Sequence, residues 1–207
     1  MTDVTTPPGA GDLAALLGSR LCHDLVSPLG AIGNGVELLE MSPDFPGIGN
    51  SPEIRLIAEA VASARSRIQA FRMAFGAAQE DQRVSRPELQ KLLDGVSGQG
   101  RLRVELDAEG DFSRTQIRMV ALSLLCLETA MPWGGRVMVI RNAPGWRLVA
   151  ECDRARVDPA LWDWLSRGAG REAAPAEVQF PLLADAARQA HRVLHAEFDQ
   201  AGGEIAF

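Results

Sequence analysis

The chain has 207 residues, of which 46% are hydrophobic, so it is long enough for one large domain or two small ones. Its 27 acidic residues outnumber its 21 lysines and arginines, and the formal net charge of −6 disfavours binding to nucleic acids or anionic membranes. No apolar run approaches the roughly 20 residues that span a bilayer, and the first residues do not resemble a signal peptide. We therefore expect a cytoplasmic protein with no nucleic-acid or membrane partner.

A long first helix is predicted for residues 13–41. Asp12 is suited to cap its start, and Ser42-Pro43 ends it because proline cannot continue a helix. One stripe of this helix is apolar or non-polar at spacings of three and four residues, which is typical of a bundle helix. The stripe consists of Leu17, Leu21, Leu25, Pro28, Ile32, Val36 and Leu39.

A second helix is predicted for residues 52–75, with Ser51 as its N-cap and Pro52 in its first turn. A regular alternation of three and four residues predicts a coiled-coil-like contact with the first helix. That contact comprises Ile54, Ile57, Val61, Ala64, Ile68, Phe71 and Phe75. The linker between the helices is rich in proline and glycine, which favours an antiparallel hairpin. Because two helices bury little surface, we expect two copies to pair as a four-helix bundle in a homodimer.

His23 lies on the side of the first helix that is opposite the apolar stripe, at about 100° per residue. A neutral imidazole is a nucleophile suited to carrying a phosphoryl group reversibly. An isolated exposed histidine is usually only a solvated side chain, so a functional role depends on its neighbours. Near its angle lie small and polar residues along which another protein could bind, namely Leu16, Ser19, Arg20, Ser27, Gly30 and Asn34.

The segment that starts at His23 reads His-Asp-Leu-Val-Ser-Pro and resembles the H-box of two-component histidine kinases. The resemblance implies that Asp24 orients or deprotonates the imidazole, and that Ser27 faces the incoming phosphoryl group. Arg20 precedes His23 by about one turn and could offset phosphate charge or contact an acidic partner. Each of these three side chains can also be read as an ordinary solvated group.

From about residue 82 the heptad pattern gives way to mixed segments, which predicts a second domain. Helices are expected over about residues 85–93, 113–131, 158–165 and 178–198, and the first of these begins with a Ser85-x-x-Glu88 capping box. Strands are expected over residues 101–106, 136–141, 146–151 and 204–207. This order predicts an α+β sandwich with helices on one face of a sheet.

The second domain resembles the ATP-binding domain of a histidine kinase but lacks its nucleotide site. Residues 120–130 contain no asparagine, and Leu122 and Cys126 stand where a kinase carries asparagines that hold magnesium and phosphate. The segment after residue 151 lacks the glycines that a nucleotide loop needs. A kinase-like hairpin joined to a degenerate ATPase-like α/β sandwich resembles the ChpT-type histidine phosphotransferases of alphaproteobacterial phosphorelays.

This resemblance implies that His23 receives a phosphoryl group from an aspartate in the receiver domain of a hybrid histidine kinase and passes it to response-regulator receiver domains. It implies no ATP, and any Mg²⁺ would come from the receiver. The implied organisation is a flexible N-terminus (1–11), a hairpin for dimerisation and phosphotransfer (12–81) and a degenerate ATPase-like domain (82–207). The alternatives are a non-catalytic dimer that binds receivers or inhibits a kinase, and a divergent histidine autokinase.

Other candidate sites have weaker support. His191 and His195 stand four residues apart, which could place both on one face of a helix as metal ligands, but no third ligand is suggested. Cys22, Cys126 and Cys152 are widely spaced, which predicts reduced thiols. We therefore predict no metal site. Three arginines on the second helix, Arg65, Arg67 and Arg72, are read as a solvated face that an acidic receiver could use.

Overall fold

The computed structural model of the chain describes residues 10–78, 81–97, 102–142 and 145–207. These residues form two compact units, one that ends at Ala77 and one that begins at Ala78. Most of the N-terminal segment predicted to be flexible, residues 1–11, lies outside the described residues. Within the described ranges, none of the helices is both long and apolar enough to cross a membrane.

The first unit is a pair of helices, α1 (Ala10–Met41) and α2 (Pro52–Phe75), joined by a linker that contains a short 3-10 turn at Ile48–Asn50. The bounds predicted for α2 are confirmed. Asp12, however, lies inside α1, so its predicted role as N-cap is wrong. Gly11 also lies inside α1, since one glycine within a long helix costs only about 1 kcal/mol. Ser51 precedes α2 as predicted, although its hydroxyl bonds the Glu53 carboxylate and not a backbone N–H.

The two helices pack through small residues of α1. Ala15, Cys22 and Val36 are buried on the side that faces α2. A Cβ atom added at Gly18 would lie 3.1 Å from the carbonyl oxygen of Phe75, so the backbones approach closely at this end of the hairpin. A side chain at Gly18 would therefore require the two backbones to move apart by a few tenths of an ångström.

The apolar stripe predicted to pack on α2 does not do so. Only Val36 of that stripe is buried, and the large apolar side chains in it are more than a third exposed: Leu17, Leu21, Leu25, Ile32 and Leu39. Helix α1 thus has two stripes with heptad spacing, one of small residues and one of leucines. The prediction took the larger side chains as the contact, whereas the smaller ones permit the closer approach of two helices.

The second unit contains a five-stranded sheet with the order β2-β4-β5-β7-β6, in which only β2 and β4 are parallel. Two short strands, β1 and β3, pair separately and were not predicted, because three residues are too few to show a pattern. In chain order the elements are β1 (Arg83–Ser85), α3 (Arg86–Ser97), β2 (Leu102–Asp107), β3 (Asp111–Ser113), α4 (Arg114–Ala130), β4 (Gly135–Asn142), β5 (Gly145–Glu151), α5 (Pro159–Arg167), α6 (Gln179–Gln189), β6 (His195–Phe198) and β7 (Gly202–Ala206).

Local capping fixes where three of these helices begin. The backbone N–H of Ser85 donates to the Glu88 carboxylate at 2.8 Å, and the N–H of Glu88 donates to the Ser85 hydroxyl at 3.4 Å. The hydroxyl of Ser113 accepts from the N–H of Gln116 at the start of α4. The carboxylate of Asp158 accepts from two N–H groups at the start of α5. All three predicted helix starts are confirmed.

Helices cover one face of the sheet. Buried residues alternate along the strands, as in Val137 and Val139 of β4, while their neighbours on the other face are partly or fully exposed. Helix α4 packs against this covered face and against α6, and most of its side chains are buried. Trp162 on α5 stacks edge-to-face with Phe180 on α6, with 5.7 Å between ring centroids. This two-layer arrangement agrees with the predicted α+β sandwich.

The helix predicted for residues 178–198 is wrong in its second half. Helix α6 ends at Gln189, His191 has a φ of 52°, and β6 begins at His195. The two histidines therefore do not share a helical face, and the geometry considered for a metal pair is absent. The local sequence favours a helix, but the edge of the sheet offers backbone hydrogen bonds from β7, which outweigh that preference.

Arg171 ties the start of α5 to the segment that precedes α6. Its guanidinium bonds the carboxylates of Asp158 and Glu177, each at 2.8 Å. The hydrogen bond from Arg171, together with that from the backbone N–H of Ala174, lowers the pKa of Glu177 to about 2. Because the folded-state pKa lies below the ordinary value of 4.5, Glu177 stabilises the fold above about pH 4.5, and this contribution is lost as the pH falls towards 2.

We expect Glu177→Gln to lower the free energy of unfolding at pH 7, and the difference from wild type to shrink as the pH falls from 4.5 towards 2. Urea unfolding of both proteins across this pH range measures the difference in the free energy of unfolding. Glu172→Gln, which removes an exposed carboxylate from the same segment, is the matched control. A wild-type advantage over Glu177→Gln that stays constant down to pH 2 would contradict the assignment.

Candidate functional site

His23 projects from near the middle of α1, and its side chain is 79% exposed. Its Nδ1 lies 3.1 Å from Oδ1 of Asp24. The other carboxylate oxygen of Asp24, Oδ2, accepts a hydrogen bond from Nε of Arg20 at 2.7 Å. The three side chains form a short chain in which both oxygens of Asp24 are engaged.

The protonation of this chain follows from its contacts. The hydrogen bond from His23, supported by the bond and charge of Arg20, lowers the pKa of Asp24 below its usual range. An ionised carboxylate can only accept hydrogen bonds, so Nδ1 of His23 must carry the proton. In the neutral ring Nε2 then holds a free lone pair. The exposed ring therefore presents a nucleophilic nitrogen to solvent.

Pro28 stands one turn beyond this group, and α1 continues through it without interruption. Proline has no N–H, so the backbone carbonyl of Asp24, four residues earlier, receives no helical hydrogen bond from it. Ser27 is exposed beside the proline. A polar backbone oxygen and a hydroxyl are thus available close to His23.

We define the His23 face as Leu16, Arg20, His23, Ser27, Gly30 and Asn34, which helical spacing places on one side of α1. Leu16, Ser27 and Asn34 are exposed. A Cβ atom added at Gly30 would meet nothing within 4 Å, so the face is open there. Ser19, predicted as part of the same surface, is half-buried, and its hydroxyl accepts from the N–H of Ala77 at 3.2 Å. Ser19 therefore holds the open end of the hairpin together.

Two further residues extend the His23 face and were not identified from the sequence. Leu38 and Met41 stand 15 and 18 positions after His23, which brings them back to its side of the helix. They are 69% and 81% exposed. The same helical period, applied as far as the end of α1, identifies both Leu38 and Met41.

The second unit places the two residues at the predicted nucleotide positions inside its core. Leu122 and Cys126 on α4 are both fully buried, and burial raises the pKa of the Cys126 thiol well above its usual value. Trp133, just after α4, is exposed and lies under the guanidinium of Arg154, 4.2 Å from the ring centroid. Among the described residues, no cluster of three or more histidine, cysteine, aspartate or glutamate side chains could hold a metal ion.

We expect the ring tautomer of His23 to depend on the carboxylate of Asp24. In wild type, ¹⁵N spectra of the imidazole near pH 8 should show the proton on Nδ1. Asp24→Asn should increase the fraction with the proton on Nε2, because an amide can donate as well as accept. Arg20→Gln, which leaves the carboxylate in place, should change the tautomer ratio less. Equal tautomer ratios in wild type and Asp24→Asn would show that the hydrogen bond does not set the tautomer.

Comparison with known proteins places these features in a family. The sequence profile of the histidine phosphotransferase C-terminal domain matches residues 86–202, which is more than half of the chain and lies within the second unit. The protein phosphotransferase ChpT of Brucella abortus (strain 2308) is 49% identical over 67 residues. That alignment covers 32% of this chain and 30% of the relative, so it spans less than a third of either protein.

A solved structure of a bacterial phosphotransferase resembles almost the whole chain. It is 25% identical in sequence, superposes with a TM-score of 0.66, and the match covers 97% of this chain and 98% of that one. The fold described above, a helical pair followed by a helix-covered sheet, is therefore the fold of a phosphotransferase. Together with the profile match, this likeness shows that the chain belongs to the histidine phosphotransferase family, in its ChpT-type branch.

Proposed function

We propose that His23 accepts a phosphoryl group from an aspartyl phosphate in the receiver domain of a hybrid histidine kinase and donates it to response-regulator receivers. The observation that carries this proposal is the exposed imidazole whose Nδ1 is bonded to ionised Asp24, which leaves Nε2 free. Membership of the histidine phosphotransferase family supports the class of reaction.

The proposed step needs no other reactant. Nε2 of His23 attacks phosphorus, a P–N bond forms, the P–O bond to the aspartyl oxygen breaks, and the aspartate leaves as a carboxylate. The ring becomes a positively charged phosphoimidazolium that keeps its proton on Nδ1. Asp24 accepts that hydrogen bond throughout and stabilises the new positive charge. The reverse step passes the group to an acceptor aspartate.

We propose that the protein uses no ATP of its own. The support is the full burial of Leu122 and Cys126, which fill the core at the positions where a kinase carries asparagines. We also propose that any Mg²⁺ is held by the receiver, because both carboxylate oxygens of Asp24 are already bonded to His23 and Arg20. The chain's contribution would then be an oriented nucleophile and a charged neighbour.

We further propose that two chains pair through the leucine stripe of α1 as a four-helix bundle. The stripe is continuous and largely exposed in one chain, and Leu56 and Ile57 add exposed apolar surface on α2. Contiguous apolar surfaces of this kind usually mark contacts with another protein. Because the stripe lies far round α1 from His23, both histidines of the dimer would stay accessible.

The central test is transfer from a receiver domain that has been charged with labelled acetyl phosphate in the presence of Mg²⁺. Acid-labile label should appear on wild type and be absent from His23→Ala, because the nucleophile is lost. Asp24→Asn should slow the transfer by roughly tenfold or more, since the charge on the ring loses its stabilising partner. The label on the protein is followed over time after rapid removal of acetyl phosphate.

The same assay separates the alternatives. Equal labelling of wild type and His23→Ala would refute the role of His23. Binding to the receiver without any label would favour a non-catalytic interaction protein. Labelling of wild type by ATP alone, with no receiver present, would favour an autokinase.

The dimer is tested by light scattering of the full chain. Leu21→Glu combined with Leu25→Glu should shift the protein from twice the chain mass towards a monomer, because two charges would be buried in the bundle. Leu38→Glu introduces a charge at an exposed leucine on the His23 side of α1 and should leave the mass unchanged. A wild-type mass equal to one chain would exclude the dimer.

A further inference from the structure

Charge is distributed unevenly along the helical hairpin. The half that contains His23, residues 10–30 and 63–77, carries two acidic residues, Asp12 and Asp24, and four arginines: Arg20, Arg65, Arg67 and Arg72. The half that contains the linker, residues 31–62, carries one arginine, Arg55, and five acidic residues: Glu37, Glu40, Asp44, Glu53 and Glu59. A chain with a net negative charge therefore presents a basic surface around its nucleophile.

Two of these arginines lie on α2 close to α1, one level with His23 and the other further along the helix. The charge of Arg72 is felt by the buried thiol of Cys22, whose pKa it lowers in opposition to the larger effect of burial. A Cβ atom added at Gly33 would lie 3.5 Å from Nη1 of Arg65. Cys22 is the neighbour of His23, and Gly33 is about 15 Å further along the helix axis. The two guanidinium groups thus bracket the length of α1 that follows His23.

Arg65 and Arg72 are seven residues apart, so they lie on one side of α2. Ser19, on the same flank of α1 as His23, contacts α2 near Gly76, one turn after Arg72. Both arginines are exposed, and neither forms an ion pair with a carboxylate among the residues that the structure describes. Arg67, two positions after Arg65, faces elsewhere and stacks on the ring of Phe71 at 4.9 Å. The positive charge of the pair is available to a partner.

We propose that Arg65 and Arg72, with Arg20, form an electrostatic docking site for the acidic face of a receiver domain that carries the phosphoaspartate. This inference rests on the proposed function and deepens it. An aspartyl phosphate brings close to two negative charges to His23, and arginine is the side chain best matched to phosphate and carboxylate oxygens. The acidic linker half of the hairpin repels the same partner, so only docking at the His23 end is favourable.

The test compares a protein donor with a small one. Phosphoramidate is a small P–N phosphoryl donor that needs no docking surface, whereas a receiver domain charged with acetyl phosphate and Mg²⁺ does. In the double variant Arg65→Glu/Arg72→Glu, we expect kcat/KM with the receiver to fall at least about tenfold at low salt. The loss should appear in KM more than in kcat and should shrink as salt is raised. The rate of labelling by phosphoramidate should match wild type.

Arg55→Glu is the control, since it makes at one exposed arginine of α2 in the acidic half the reversal that the double variant makes at each of two. It should change the receiver reaction much less than the double variant does, because it reverses one charge and lies about 25 Å along α2 from Arg72. The variant Arg65→Gln/Arg72→Gln, which only removes charge, should show a smaller loss in the same direction and guards against misfolding of the double reversal.

An equal loss in Arg55→Glu and in the double variant, or no loss in either, would overturn the docking site. In that case, labelling of wild type but not of His23→Ala by phosphoramidate would still support His23 as the nucleophile. Failure of both donors to label wild type would instead count against the proposed function itself.

Discussion

The constraint on which the hairpin depends is that α1 packs on α2 through small residues, which leaves two other sides of α1 exposed. Its small residues, such as Gly18 and Cys22, pack closely against α2. Its leucine stripe is left exposed, and His23 stands on a third side. A helix that used its leucines to hold α2 would have no apolar surface left for another chain. The close contact of small residues therefore frees both the stripe and the face that carries the nucleophile.

The chemistry at His23 depends on one carboxylate that has two partners. Arg20 alone would make Asp24 an ordinary surface ion pair, and such pairs contribute little to stability. Next to His23 the same carboxylate also selects the ring tautomer, because an ionised Asp24 can only accept a hydrogen bond from a protonated Nδ1. The arrangement consists of three residues within about one turn of helix, so all of its contacts are made inside α1.

The parts that sequence could predict are those decided by local chemistry. The starts of α3, α4 and α5 follow from Ser85, Ser113 and Asp158 because each cap is made within three residues. The orientation of His23 depends only on the helical period. The packing side of α1 could not be predicted, because two stripes had the same spacing and only the fold decides between them. The predicted end of α6 was wrong for a related reason. The pairing of β6 with β7 is a tertiary contact, and the local sequence does not indicate it.

Two core residues of the second unit bear on the proposed source of the phosphoryl group for His23. Leu122 and Cys126 contribute to packing where a kinase would need polar side chains for nucleotide, so α4 stabilises the fold at these positions. In the proposed function the phosphoryl group arrives on a receiver domain. The rate at which two charged protein surfaces meet depends on their electrostatics. An excess of arginine around His23, in a protein that is acidic as a whole, would therefore favour the approach of an acidic partner to the nucleophile.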